Sequence, residues 1–265
     1  MTNPSILWFR RDLRLTDQAA LITAAAEGPV IPVYILDDET PRHRAMGGAS
    51  RWWLHHSLSA LDAALRARGS RLILRRGRSA AELIKLAGEV GATRIHCLRH
   101  YEPWWRNAER EVAGALDLIA HDGNYLLPPG SVTSGSGEPY RIYTPFSRSV
   151  LQHMPPAGPR PVPDAIPAPT PWPKSDVLAD WDLLPTRPNW ATGFSQDWTP
   201  GEAGAAGRLE NLPDIVPGYG EGRNLPSEEG TSRLSPHLHF GEVSPAAVWH
   251  AVRGRGEGAD IFHKL

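Results

Sequence analysis

The sequence predicts an α/β fold: a doubly wound, mostly parallel five-stranded sheet of Rossmann-like layout, then a proline-rich linker and the start of an all-α unit. Three observations predict it. Short apolar runs alternate with amphipathic stretches through residue 125, eleven prolines crowd between Pro155 and Pro188, and helical periodicity returns after Ala203. The implied divisions are 1–130, 131–202 and 203–265.

Ile6-Leu7-Trp8-Phe9 reads as a buried strand, and a helix over 16–27 stops at Gly28-Pro29. Residues 30–36 form a second strand, with Pro32 as an objection because proline lacks a ladder donor. Leu54, Leu58, Leu61 and Leu65 share one face of a long helix, with Ser50 expected at its N-cap and Gly69 at its end. A third strand spans 71–74. Ser79 and Glu82 fit a capping box opening a helix that runs to Gly91. A strand over 94–98, a helix from Pro103 and a strand over 116–120 complete the alternation, whose spacing favours parallel strands joined by helical crossovers. The segment from Pro155 to Pro188 lacks periodicity and reads as a surface-crossing linker. Beyond it, helices are expected over 203–212, 233–239 and 244–253.

Composition narrows the function. Lys+Arg 28 against Asp+Glu 29 leaves a net charge of −1, so a nucleic acid would have to be met by a local patch. A single cysteine, Cys97, excludes an intramolecular disulfide framework and a Cys-cluster metal site. No signal peptide is legible and no window approaches ~20 apolar residues. A cytoplasmic protein without a membrane contact or an obligate protein partner is expected.

In open α/β sheets ligands bind at the carboxyl ends of strands. The loop after the first strand, Arg10-Arg11-Asp12-Leu13-Arg14-Leu15-Thr16-Asp17, suits either internal ion pairing or an anion, and it lacks the G-x-G-x-x-G fingerprint. Trp104-Trp105 and Trp52-Trp53 open helices and suit either packing or stacking on a flat heterocycle. In Gly230-Thr231-Ser232-Arg233-Leu234-Ser235-Pro236, two hydroxyls, free amides and Arg233 suit either a pyrophosphate cradle or an ordinary helix cap. His237 and His239 lie two apart, which sends them to different helix faces, and no metal site is read there. Cys97 reads as a small core residue.

Together these blocks resemble the photolyase and cryptochrome family of flavoproteins. Ile6 to Leu15 followed by Asp17 resembles the family's opening strand and loop. Gly123-Asn124-Tyr125-Leu126-Leu127-Pro128-Pro129-Gly130 and Tyr143-Thr144-Pro145-Phe146 resemble its interdomain entry, and Gly230 to Pro236 resembles the loop that receives the flavin phosphates. The resemblance implies a deoxyribodipyrimidine photo-lyase, a carbon–carbon lyase in which reduced FAD splits cyclobutane pyrimidine dimers in UV-damaged DNA by light-driven electron transfer. A blue-light sensor without repair activity and an inactive antenna-domain fragment are the alternatives. Thr231, Ser232, Arg233, Leu234, Ser235 and Tyr219 match the FAD site, and Arg223 matches an arginine that meets DNA phosphate. Arg51 and Glu102 match a deazaflavin-type antenna arrangement, with His100 where an acidic residue is expected. Trp104-Trp105 replaces the Asn-Glu pair of folate-type relatives, so the antenna stays open between deazaflavin and folate. Relatives are nearly twice this long. The redox relay and the acidic repair residue are therefore expected beyond Leu265, and this chain alone is expected neither to bind FAD tightly nor to repair DNA.

Overall fold

The computed structural model describes residues 3–254 and 257–263, apart from the side chain of Glu257. Five strands and four helices alternate: β1 (Ser5–Phe9), α1 (Ala19–Glu27), β2 (Val30–Leu36), α2 (Gly48–Arg66), β3 (Ile73–Arg76), α3 (Ser79–Val90), β4 (Arg94–Leu98), α4 (Pro103–Ala113) and β5 (Asp117–His121). The sheet order is β3-β2-β1-β4-β5 and every adjacent pair is parallel. This is the doubly wound layout that the alternation predicts.

Because side chains alternate across a strand, β1 feeds two cores. Leu7 and Phe9 join α1 and α2 on one face, while Ile6 and Trp8 join α3 and α4 on the other. Pro32 is accommodated because β2 meets β3 only from Val33 onward, so no ladder bond to β3 is lost.

Both helix caps read from the sequence are corrected. The N-cap of α2 is Gly47, without a side-chain bond, and Ser50 lies inside the helix. The N-cap of α3 is Arg78. Ser79 instead donates both its amide and its hydroxyl to Asp37 beyond β2, at 2.9 and 3.0 Å, so a carboxylate from a neighbouring strand end replaces the local box.

The proline-rich segment is packed rather than loose. It follows α5 (Tyr143–Leu151) and places Ile166, Trp181 and Leu183 in the core shared by α1 and α2. Ser175 and Asp176 bond Leu74 on the edge strand β3, which removes a free edge.

Short helices follow: α6 (Phe194–Asp197), α7 (Glu202–Glu210), α8 (Leu212–Ile215), α9 (Tyr219–Gly222), α10 (Ser235–Phe240), α11 (Pro245–Val252) and α12 (Glu257–His263). They build a small core of their own around Leu212, Val216, Leu234 and Val252. They also seat on the sheet. Glu202 accepts the amides of Leu15 and Thr16 at 2.9 and 2.8 Å, and the Leu13 amide donates to the Phe240 carbonyl at 3.0 Å. Gly241 closes α10 at φ 66°, and a Cβ there would lie 2.2 Å from the Arg11 carbonyl oxygen. Only glycine allows both the left-handed turn and that approach.

Candidate functional site

The strand order reverses between β1 and β4, so their carboxyl ends open a crevice there. The loop after β1 resolves its two readings residue by residue. Arg10 is buried, donates to Glu109 at 2.6 Å and to the Leu98 carbonyl, and stacks on Trp8. Asp12 is buried and accepts the Arg10 amide at 2.6 Å and the Gln18 amide group at 2.8 Å. Arg14 is spent on the carbonyls of Asp17, Gly123 and Gly241 and on Asn124. These three side chains are internal struts.

Burial opposes ionisation of Asp12, but His100 and Arg10 beside it outweigh burial and hold its carboxyl below the usual carboxylate range. Burial in turn pushes the His100 imidazole down. Arg11 alone of the loop's arginines stays partly exposed, 3.3 Å from Glu102 and over the Trp105 ring.

The residues matched to an antenna lie on opposite banks of this crevice. Arg51 grips Asp38 with two bonds, 2.6 and 3.2 Å, on the β2 side. Glu102 pairs with Arg11 on the β4 side. Tyr34, Asp38, Arg44, Met46 and Trp105 line a cavity of about 60 Å³. Glu102 also lines a neighbouring cavity of about 210 Å³, with Arg11, His100, Asn124 and Tyr125. Trp105 contacts His100 and the α3–α4 core, and Trp53 lies buried against Phe240, so both of these tryptophans pack.

The second site lies in the helical part. Gly230 presses on Gly222, and a Cβ at Gly230 would sit 2.3 Å from the Gly222 carbonyl carbon. That approach ties the loop 230–235 to α9, so Tyr219, Arg223 and the Thr-Ser-Arg segment share one neighbourhood. The Arg223 guanidinium lies 5.6 Å from the Tyr219 ring. Thr231 and Ser235 are exposed, and Ser232 and Arg233 half-buried. Arg233 adopts φ 52°, pairs with Glu229 at 3.3 Å and lies over Trp198.

Neither Thr231 nor Ser232 caps α10, whose N-cap is Leu234; Ser232 accepts the Leu234 amide at 3.4 Å. Among the described residues the amides of Thr231, Ser232 and Arg233 have no acceptor. Free amides beside two hydroxyls and a guanidinium fit an anion held in a backbone nest. The Leu234 side chain is 1% exposed and belongs to the core, leaving only its backbone near the loop.

Sequence reasoning missed Glu242. This buried carboxylate accepts from Trp53 Nε1 at 2.9 Å and meets His237 Nδ1 at 2.6 Å, joining α2 to α10. Five residues separate His237 from Glu242 across a turn, a spacing with no helical meaning, so no sequence signal marks the pair.

Residues 5–170 match the family model described as DNA photolyase. The chain belongs to the DNA photolyase family. Within that family it is 44% identical over 260 residues to a deoxyribodipyrimidine photo-lyase of Agrobacterium fabrum, covering 96% of this chain and 54% of that protein. It is 34% identical over 259 residues to cryptochrome-1 of Arabidopsis thaliana, covering 94% of this chain and 38% of that one. A class III photolyase from Agrobacterium tumefaciens superposes with a TM-score of 0.92 at 42% identity, over 100% of this chain and 57% of that chain. The chain thus spans about half the length of the photolyases it matches.

Proposed function

We propose that this photolyase-family chain carries the sheet domain and the flavin-phosphate loop of a light-driven DNA repair lyase. The observation that carries the reading is the open nest at Thr231, Ser232 and Arg233, held against α9 by the Gly222–Gly230 contact. In this reading the two hydroxyls and the free amides hold the FAD pyrophosphate, Arg233 screens its charge, and Tyr219 borders the bound cofactor. Arg223 takes a DNA phosphate, a positioning contact sensitive to salt and indifferent to sequence. The bound flavin would supply the photochemistry, passing one electron to a cyclobutane dimer and receiving it back. The lesion reaches it out of the base stack, which costs less for damaged than for intact bases.

A blue-light sensor is the other reading. The 44% identity to a photo-lyase against 34% to a cryptochrome favours repair.

The purified 29.1 kDa chain is expected to be colourless, by absorption and intact-mass spectrometry. Added FAD should bind weakly through its pyrophosphate, read by flavin fluorescence anisotropy, and Thr231→Ala with Ser232→Ala should remove most of that binding. Binding unchanged in the double variant would overturn the loop assignment. A chain indifferent to FAD would overturn it as well.

A further inference from the structure

One sizeable cavity lies away from both sites. A groove of about 920 Å³ opens at the amino-terminal end of the sheet, between the second half of α3 and the segment 168–174. Pro4 and Pro29, which precede β1 and β2, form its floor. The crevice at the switch point lies at the other end of the same strands, and the two share no residue.

Its charges are unusual for this chain. The sequence holds three lysines against twenty-five arginines, and two of the three, Lys85 and Lys174, line this groove. Neither has an ion-pair partner among the described residues. Glu89, four residues after Lys85 on α3, is taken instead by Arg75, with bonds of 2.6 and 3.3 Å. Arg75 and Glu89 cancel, and two uncompensated ammonium groups remain on opposite walls.

The rest of the lining is flat and rigid. Trp172 packs against the α3–α4 core and carries the Arg71 guanidinium 4.8 Å from its ring centroid, which fixes its position. Prolines on either side of it lock the backbone, so little conformational freedom remains to be lost on binding. The volume falls in the range of small-molecule sites, ~300–1,000 Å³. Ammonium groups recognise anions, and an aromatic wall between prolines recognises a flat ring.

We propose that this groove is a second ligand site, for a planar aromatic molecule bearing one acidic group, a carboxylate or a phosphate ester. The acid bridges Lys85 and Lys174 while the ring lies along Trp172. The site does not rest on the flavin reading.

Calorimetric titration of the full 265-residue chain with 2-naphthoate and with adenosine monophosphate tests it and separates the two acids. At least one should saturate below about 1 mM, and its neutral counterpart, 2-naphthalenemethanol or adenosine, should bind about tenfold more weakly. The Lys85→Gln, Lys174→Gln double variant should lose about tenfold in affinity, with circular dichroism unchanged. Arg233→Gln, in the flavin loop, should leave the affinity as it was. Absence of saturable binding by either anion would overturn the proposal, and so would equal binding by the double variant or by the neutral counterpart.

Discussion

Trp53 and Glu242, 189 residues apart in the chain, meet in a buried hydrogen bond of 2.9 Å. His237 meets the same carboxylate at 2.6 Å, so one acidic group serves two donors across the seam between the sheet domain and the helices. Removing a shared buried acceptor leaves both donors unsatisfied. Glu242→Ala should destabilise the fold by about 2–4 kcal/mol and Glu242→Gln by roughly half that, since the amide keeps one acceptor. Urea unfolding followed by tryptophan fluorescence measures both. A Glu242→Gln variant as stable as the wild type would show that the carboxylate serves only one donor.

Asp37 gives a pH dependence. Burial tends to raise its carboxyl, but the amides and hydroxyls of Thr40 and Ser79 outweigh burial and hold it below the usual 3.8. A folded value below the unfolded one means that its stabilisation is complete above ~pH 4 and fades as pH falls through the depressed value. Asp37→Ala should cost about 1–2 kcal/mol at pH 7, the scale of a lost helix cap, and less at pH 3. Chemical denaturation at the two pH values checks the sign. A gap that widens in acid would refute it.

Cys97 sits fully buried in β4, and burial pushes its thiol up to about 12. The nucleophile is the thiolate, and burial blocks access as well. Ellman's reagent should label the native protein only as fast as it unfolds, and promptly in urea. Raising the pH from 7 to 9 should bring little acceleration. Prompt labelling in native buffer would mean that β4 opens locally.

Gly230 tests the link between α9 and the loop 230–235. A methyl group there meets the backbone of Gly222. Gly230→Ala should push the loop off α9 and weaken FAD binding by about tenfold, while the urea midpoint changes little because Gly230 lies outside the core. Unchanged FAD affinity in this variant would detach Tyr219 from the site.

The crevice gives the clearest case of what a sequence leaves undecided. Arg10, Arg11, Asp12 and Arg14 fall within five residues of the chain, and nothing local tells which of these charged groups is buried. Structure separates them: three are consumed by Glu109, Gln18, Asn124 and main-chain groups, and Arg11 alone remains partly exposed at the crevice. Their partners come from α4, α1 and the segment after β5, and no local spacing announces such distant neighbours. Ser79 shows the same in small. Its box with Glu82 was locally sound, yet Asp37 arrives from β2 and takes the hydroxyl.

The strand–helix alternation, the parallel sheet and the blocks that mark the family were legible in the residues alone, because periodicity and turn chemistry act over a few residues at a time. A short contiguous pattern also marked Thr231, Ser232 and Arg233. The tertiary structure alone shows that the proline-rich segment joins the core through Ile166 and Trp181, that Arg51 is spent on Asp38 and Glu102 on Arg11, and that Glu242 clasps the two halves. These outcomes depend on which surfaces meet, and burial changes the worth of a charge or a ring only once its distant neighbours are in place.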